Sequence, residues 1–288
     1  MSGDEDPSRR PIDRRALLQM GAAGVVGAVA SAVVVDKSAQ PKGVSRREVI
    51  ERSDAAGVLA GREVALGTHT IVWSVATEDP VLTFTFDDGP DPEFTPKVLE
   101  ILGRFGVSAT FNVMGYNAER HQDELRAVVA AGHELGNHTY RHVDLAFTDP
   151  ARTRRELEEG VEVIRAVSGV DTVRWFRPPR GELTGVALRA AAALDHDILL
   201  WSVSGDVAGI ERPADVRAFV DAHLQPGQIV SFHDGIGRGT FDPRGRNARQ
   251  LRERRAAEVA ALPAIIDAAL SSGLRLVTAS ELLEHRID

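Results

Sequence analysis

Residues 81–90 read Val-Leu-Thr-Phe-Thr-Phe-Asp-Asp-Gly-Pro. Apolar residues and threonines alternate from Val81 to Phe86, and most are β-branched or aromatic, which is the pattern of a strand. Gly89-Pro90 stops that strand and opens a loop. Side chains alternate along an extended chain, so Asp87 and Asp88 are expected to point in opposite directions at its end. One acid could then bind a metal while its neighbour moves a proton. The same four letters, Asp-Asp-Gly-Pro, also describe an ordinary acidic turn, so the rest of the chain decides.

Outward from this stretch the chain alternates between two periodicities. Thr70–Val75 reads as a strand, turned back by Glu78-Asp79-Pro80. Thr95-Pro96 reads as an N-cap with Pro at the first helical position, and Val98, Leu99, Ile101, Leu102 and Phe105 form an apolar helical face ending at Gly106. Further strands are expected at 107–113, 134–136, 173–176, 198–203, 228–232 and 274–277. Helices are expected at 118–131, 150–167, 185–194, 214–223 and 247–271, with Ser280 capping a last one. Such alternation implies a parallel sheet covered by helices. About seven units favour an α/β fold of the distorted (β/α) barrel kind, with chemistry on the rim where the strands end.

The 288-residue chain is 43% hydrophobic, enough for a sizeable core, and its net charge of −8 gives no support to a nucleic-acid partner. It has no cysteine, which excludes disulfides, thiolate metal ligands and a cysteine nucleophile. Residues 1–13 are polar and charged. Arg14-Arg15 then precede the apolar run 16–35, and Asp13-Arg14-Arg15-Ala16-Leu17-Leu18 loosely matches a twin-arginine export motif. Ala28-Val29-Ala30 is a candidate cleavage site, and twenty residues also suffice for an uncleaved membrane anchor. Both readings place the rest of the chain outside. Residues 1–39 are thus read as an export signal or anchor, 40–68 as a linker and 69–288 as the working domain.

Three more segments carry candidate chemistry. In Asn137-His138-Thr139-Tyr140-Arg141-His142, a helical turn would put both histidines on one face, within reach of one metal. With an Asp from another strand end they make a His-His-Asp site that leaves positions open for water and substrate. Phe176-Arg177-Pro178-Pro179-Arg180-Gly181 follows a strand, and its prolines fix the backbone so that Arg177 can be aimed at a carboxylate. Ile229–Phe232 is an apolar strand leading into His233-Asp234-Gly235. Each segment is weak alone, but four at successive strand ends are specific.

These motifs resemble the polysaccharide deacetylase family, the NodB-homology domain of carbohydrate esterase family 4, over roughly Trp73–Leu283. The resemblance implies that Asp87 is the base, that Asp88, His138 and His142 hold a divalent metal, and that Arg177 steadies Asp87. It implies that His233 is the general acid and that the backbone N–H of Arg180 stabilises the oxyanion. Arg180 stands where the family often has Tyr. Trp201-Ser202-Val203-Ser204-Gly205-Asp206-Val207 departs from the family's Asp-x-x-Asp-Trp segment, lacking its first Asp and second Trp. Asp206 is the candidate partner of His233, and Trp201 a candidate wall of the substrate groove. The implied reaction is removal of acetyl groups from an N-acetylated sugar polymer, with Zn²⁺ expected and Co²⁺, Mn²⁺ or Ni²⁺ as alternatives. Xylan O-deacetylation, small-amide hydrolysis and non-catalytic glycan binding are the rival readings.

His69, His121, His133, His196, His223 and His285 lie outside the motifs and are expected to be solvated. The same holds for the run Arg238, Arg244, Arg246, Arg249, Arg252, Arg254 and Arg255, in which Arg238, Arg244 and Arg246 are also candidates for contact with carboxylates of a cell-wall polymer.

Overall fold

A computed structural model describes residues 69–207 and 212–287. The expected export signal and linker, 1–39 and 40–68, lie outside the described residues.

Strand β2, Val81–Asp87, is buried along its whole length at the middle of the fold. Around it run β1 (Ile71–Val72), β3 (Thr110–Val113), β4 (Glu134–Asn137), β5 (Trp175–Phe176), β6 (Asp197–Leu199), β7 (Val203–Ser204), β8 (Ile229–His233) and β9 (Arg275–Leu276). All pair in parallel, in the order β1-β6-β5-β4-β3-β2-β8-β7, with β9 beside the start of β2. The sheet curls until Ser74, just past β1, bridges Gln228 at the foot of β8. This is the expected barrel-like α/β architecture, with nine strands instead of about seven.

One of the extra strands has a local cause. The expected strand 198–203 is broken between β6 and β7, where Arg177 takes the carbonyls of Leu199 and Leu200 through Nε at 3.0 Å and Nη2 at 2.8 Å. Those carbonyls are therefore spent on a side chain and not on a neighbouring strand.

Helices α1 (Thr95–Phe105), α2 (Gly115–Arg120), α3 (Gln122–Ala130), α4 (Pro150–Ser168), α5 (Gly185–Ala193), α6 (Pro213–Asp221), α7 (Arg246–Ser271) and α8 (Ala279–Glu284) cover the sheet. The single helix expected at 118–131 is two, because His121 leaves helical geometry at φ −122°, ψ 54°. Phe94, not Thr95, is the N-cap of α1. The Thr95 hydroxyl instead donates to Asp234 Oδ2 at 2.6 Å. Helix α4 begins as its sequence demands: the Asp149 carboxylate accepts from Arg152 N, Pro150 opens the first turn, and Gly169 ends it at φ 76°.

The two-residue period of β2 sorts its side chains. Phe84 and Phe86 face the helices and pack with Phe232 and Phe111, ring centres 5.0–5.8 Å apart. Thr83, Thr85 and Asp87 are therefore on the other face, toward the interior of the curl. A guanidinium fills that interior. Arg177 is fully buried, and its Nη1 donates to Thr85 Oγ1 at 2.6 Å and to Asp87 Oδ1 at 2.8 Å.

Candidate active site

The C-terminal ends of β2, β4, β5 and β8 surround a cleft of about 520 Å³. Asp87, Asp88, His138, His142, Arg180, Trp201, Asp206 and His233 all line it. Arg177 lies beneath. Every site residue expected from the sequence is thus brought to one rim or directly under it.

Two local expectations fail on backbone geometry. Asp87 and Asp88 do not point apart. Asp88 has φ 76°, which ends the strand's alternation and turns both carboxylates into the same cleft. Nor is the 138–142 segment helical. It is a loop in which Thr139 (φ 66°) and His142 (φ 51°) take left-handed conformations. Asp88, Thr139, His142 and Arg180 account for four of the five such non-glycine residues described. Strain concentrated in this way is characteristic of functional sites.

The strained loop achieves what a helix turn was expected to do. His138 Nε2 and His142 Nε2 lie 3.6 and 3.4 Å from Asp88 Oδ1. All three donor atoms fall within 4.8 Å of one another. Asp88 Oδ1 is buried and has no hydrogen-bond partner, a costly arrangement that a cation would relieve. His138 Nδ1 is 2.7 Å from the Arg177 carbonyl, so it carries the proton and Nε2 is left with its lone pair. Burial lowers the pKa of His142 to about 4 against the pull of Asp88, leaving the ring neutral and able to ligate. Two imidazoles and one carboxylate fit a divalent ion of the zinc type.

Asp87 is held differently. Burial alone would raise its pKa, but the charge of Arg177 above all, with that of His233 and the hydrogen bond from Asn112 Nδ2 at 2.7 Å, brings it down to about 2. It is a permanent anion at neutral pH. Asn112, one strand over in register with Asp87, carried no sequence signal.

The partner of His233 corrects the sequence reading. Asp206 does not pair with it; the Asp206 carboxylate is taken by Arg255 Nη1 at 2.8 Å and Arg254 Nη1 at 3.2 Å. Glu258 of α7 meets His233 instead, its Oε2 lying 2.8 Å from the backbone N and 3.3 Å from Nδ1. Burial and Arg255 oppose protonation of His233, but Glu258 and Asp88 outweigh them and its pKa is raised.

Arg255, expected to be solvated, is 2% exposed. It bridges Asp206, Glu258 (3.1 Å) and Asp88 (3.5 Å) and donates through Nε to the Gly235 carbonyl. Asp206, His233 and Glu258 also come within metal-binding distance of one another, but this guanidinium already neutralises both carboxylates.

His133 and His196, also expected to be solvated, are buried, and burial lowers each to about 4. His196 is anchored through Nδ1 to the Val173 carbonyl and His133 packs on Phe111. The glycine of Asp-Asp-Gly-Pro is also accounted for, because a Cβ at Gly89 would collide with the buried Asp234 carboxyl.

A family profile described as polysaccharide deacetylase matches residues 74–199. The chain belongs to that family. A peptidoglycan-N-acetylglucosamine deacetylase of Bacillus cereus is 29% identical over 221 residues, covering 76% of this chain and 95% of the relative. A chitooligosaccharide deacetylase of Sinorhizobium fredii is 38% identical over 162 residues, covering 55% of this chain and 74% of the relative. Among solved structures, a peptidoglycan N-acetylglucosamine deacetylase bound to 4-naphthalen-1-yl-N-oxidanyl-benzamide is similar with a TM-score of 0.64 and 28% identity, over 76% of this chain and 96% of that one.

Proposed function

We propose that the protein is a metal-dependent deacetylase that hydrolyses the N-acetyl groups of a glycan built on N-acetylglucosamine, with residues 69–288 as its catalytic domain. The observation that carries the reading is the joint placement of three elements in one cleft: a permanently ionised Asp87, a His233 biased toward protonation, and the unsatisfied Asp88 oxygen facing two imidazoles. The relatives named above, deacetylases of peptidoglycan and chitooligosaccharide, support the same class of substrate.

Asp88, His138 and His142 would hold the ion. When bound, a divalent metal supplies Lewis-acid polarisation of the acetyl carbonyl and lowers the pKa of water. Zn²⁺ suits the donor set best, with Co²⁺, Mn²⁺ or Ni²⁺ as substitutes.

The chain's own groups carry the protons. Asp87, ionised and clamped by Arg177 and Asn112, accepts the proton of the attacking water as general base. The backbone N–H of Arg180 donates to the oxyanion that develops on the acetyl carbonyl oxygen. A sugar nitrogen cannot leave as an amide anion, so His233, kept protonated by Glu258, donates a proton as the C–N bond breaks. Arg255 neutralises the carboxylates behind the site, so that Glu258 is oriented toward His233. Trp201 forms a wall of the cleft against which a sugar ring can lie.

Export suits this assignment, because such polymers lie outside the membrane. The segment 16–35 acts as a twin-arginine signal or as an anchor, and among the described residues no helix is long and apolar enough to cross a membrane. Acetate release from N-acetylglucosamine oligomers, lost on chelation and restored by Zn²⁺, tests the assignment. Release from acetylated xylan alone would transfer it to an ester hydrolase.

A further inference from the structure

A second groove adjoins the cleft. It has a volume of about 570 Å³, within the range of small-ligand sites. Arg238 lines both spaces. Arg141 and Arg152 complete a set of three exposed guanidinium groups around the groove, in a chain whose net charge is −8.

Two of these charges are not tied up in ion pairs, although Glu156 feels that of Arg141. Among the described residues neither Arg141 nor Arg238 forms an ion pair, and Arg152 has only a long one, 3.8 Å, to the buried Glu156. Arg141 is held by rings, with its guanidinium 5.1–5.8 Å from the centres of Tyr116, Tyr140 and Phe241. Asp144, the carboxylate lining the groove, is already tied to Arg180 at 2.8 Å. Phe147 (89% exposed) and Phe241 (40%) offer apolar faces beside the arginines.

Exposed aromatic faces receive sugar rings, and planar guanidinium groups bind carboxylates bidentately. Neutral glycans offer the second chemistry nothing. We propose that this groove is a subsite for a carboxylate-bearing substituent on a sugar neighbouring the one deacetylated, so that the preferred substrate is an acidic N-acetylated glycan. The inference rests on the deacetylase reading for its location beside the reacting sugar. It also narrows the arginine run of the sequence, because Arg244 and Arg246 do not line the groove while Arg238 does.

The test is calorimetric binding to the full chain carrying Asp87→Asn, with Zn²⁺, alongside KM measurements on the unsubstituted enzyme. The probe is an oligomer of alternating N-acetylglucosamine and N-acetylmuramic acid, compared with the same oligomer after reduction of its carboxyl groups to alcohols. The intact oligomer should bind about tenfold tighter or more, as expected for charge-assisted hydrogen bonds. High salt should erase the difference, and so should the triple variant Arg141→Ser, Arg152→Ser, Arg238→Ser. A peptide-bearing oligomer forms a third arm: a preference confined to it would assign the carboxylates to the peptide, and one shared with the peptide-free oligomer to the lactyl group. Equal binding of acidic and reduced oligomers with and without peptide, or a preference that survives the triple variant, would overturn the subsite. Because binding is read without turnover, a preference with no acetate release from any glycan would count against the deacetylase and leave the subsite standing.

Discussion

The Glu258 carboxylate meets His233 at two points, 2.8 Å from its backbone N and 3.3 Å from Nδ1. One oxygen therefore fixes both the position of the ring and its proton affinity. If His233 is the general acid, Glu258 sets the pH range in which it works. Burial and Arg255 push the imidazole toward neutrality and Glu258 is the larger opposing influence, so the folded pKa is raised. Glu258→Gln removes that support, and the alkaline limb of the rate profile should move to lower pH. Above neutrality, kcat should fall by roughly tenfold or more, within the range general acids contribute. Metal content should be unchanged. An unmoved alkaline limb would separate Glu258 from proton donation.

Asp87 gives a prediction on stability. Its carboxyl falls from an ordinary 3.8 to about 2 in the fold, a shift worth about 2 kcal/mol. A depressed pKa stabilises the folded state above the unfolded value, and the gain is lost as pH falls through the folded one. In denaturant titrations of metal-free protein from about pH 5 down to about pH 2, the unsubstituted chain should lose about 2 kcal/mol more than Asp87→Asn. Parallel pH dependences would show that Asp87 is not held as an anion.

Arg255 joins three carboxylates from different parts of the fold. Arg255→Met leaves the buried Glu258 without its cation and the half-buried Asp206 with Arg254 alone. Breaking a buried pair from one side costs about 3–5 kcal/mol. Replacing Glu258 as well, with Gln, should restore part of the loss, because fewer anions are then stranded. Losses that simply add would contradict coupling through one network.

Metal binding should stabilise the fold as well as activate it. The Asp88 oxygen facing His138 and His142 has no hydrogen-bond partner, and an ion there binds the folded state alone. Zn²⁺ at a hundred times its Kd should raise stability by about 2.7 kcal/mol. The increase should vanish in His142→Ala. A Tm rise of equal size in that variant would place the ion elsewhere.

Much of this was legible in the sequence because the barrel repeats a simple rule. Strands buried on both faces read as short apolar runs, and the residues that end or directly follow them fall at the rim, so Asp87, His138, Arg177 and His233 could be placed together from position alone. Side-chain direction was harder to read. A left-handed Asp88 overrides strand alternation, and the 138–142 loop gathers its histidines without a helical turn. Arg255 and Glu258 were hidden in a charged run. Their signal was one of register: 255, 258, 262, 265 and 269 follow helical spacing, and all five are buried. Two charges thus continue the apolar stripe that faces the sheet. Asn112 gave no such clue, because its importance comes from the pairing of β2 with β3.

The most direct test of the account is acetate release from N-acetylglucosamine oligomers by the full chain, compared with its Asp87→Asn variant, each after chelation and after Zn²⁺ is restored. Only the unsubstituted chain with metal should release acetate, while the variant binds one equivalent of Zn²⁺ and releases nothing. Near-normal release by Asp87→Asn, or release that persists after complete chelation, would contradict it.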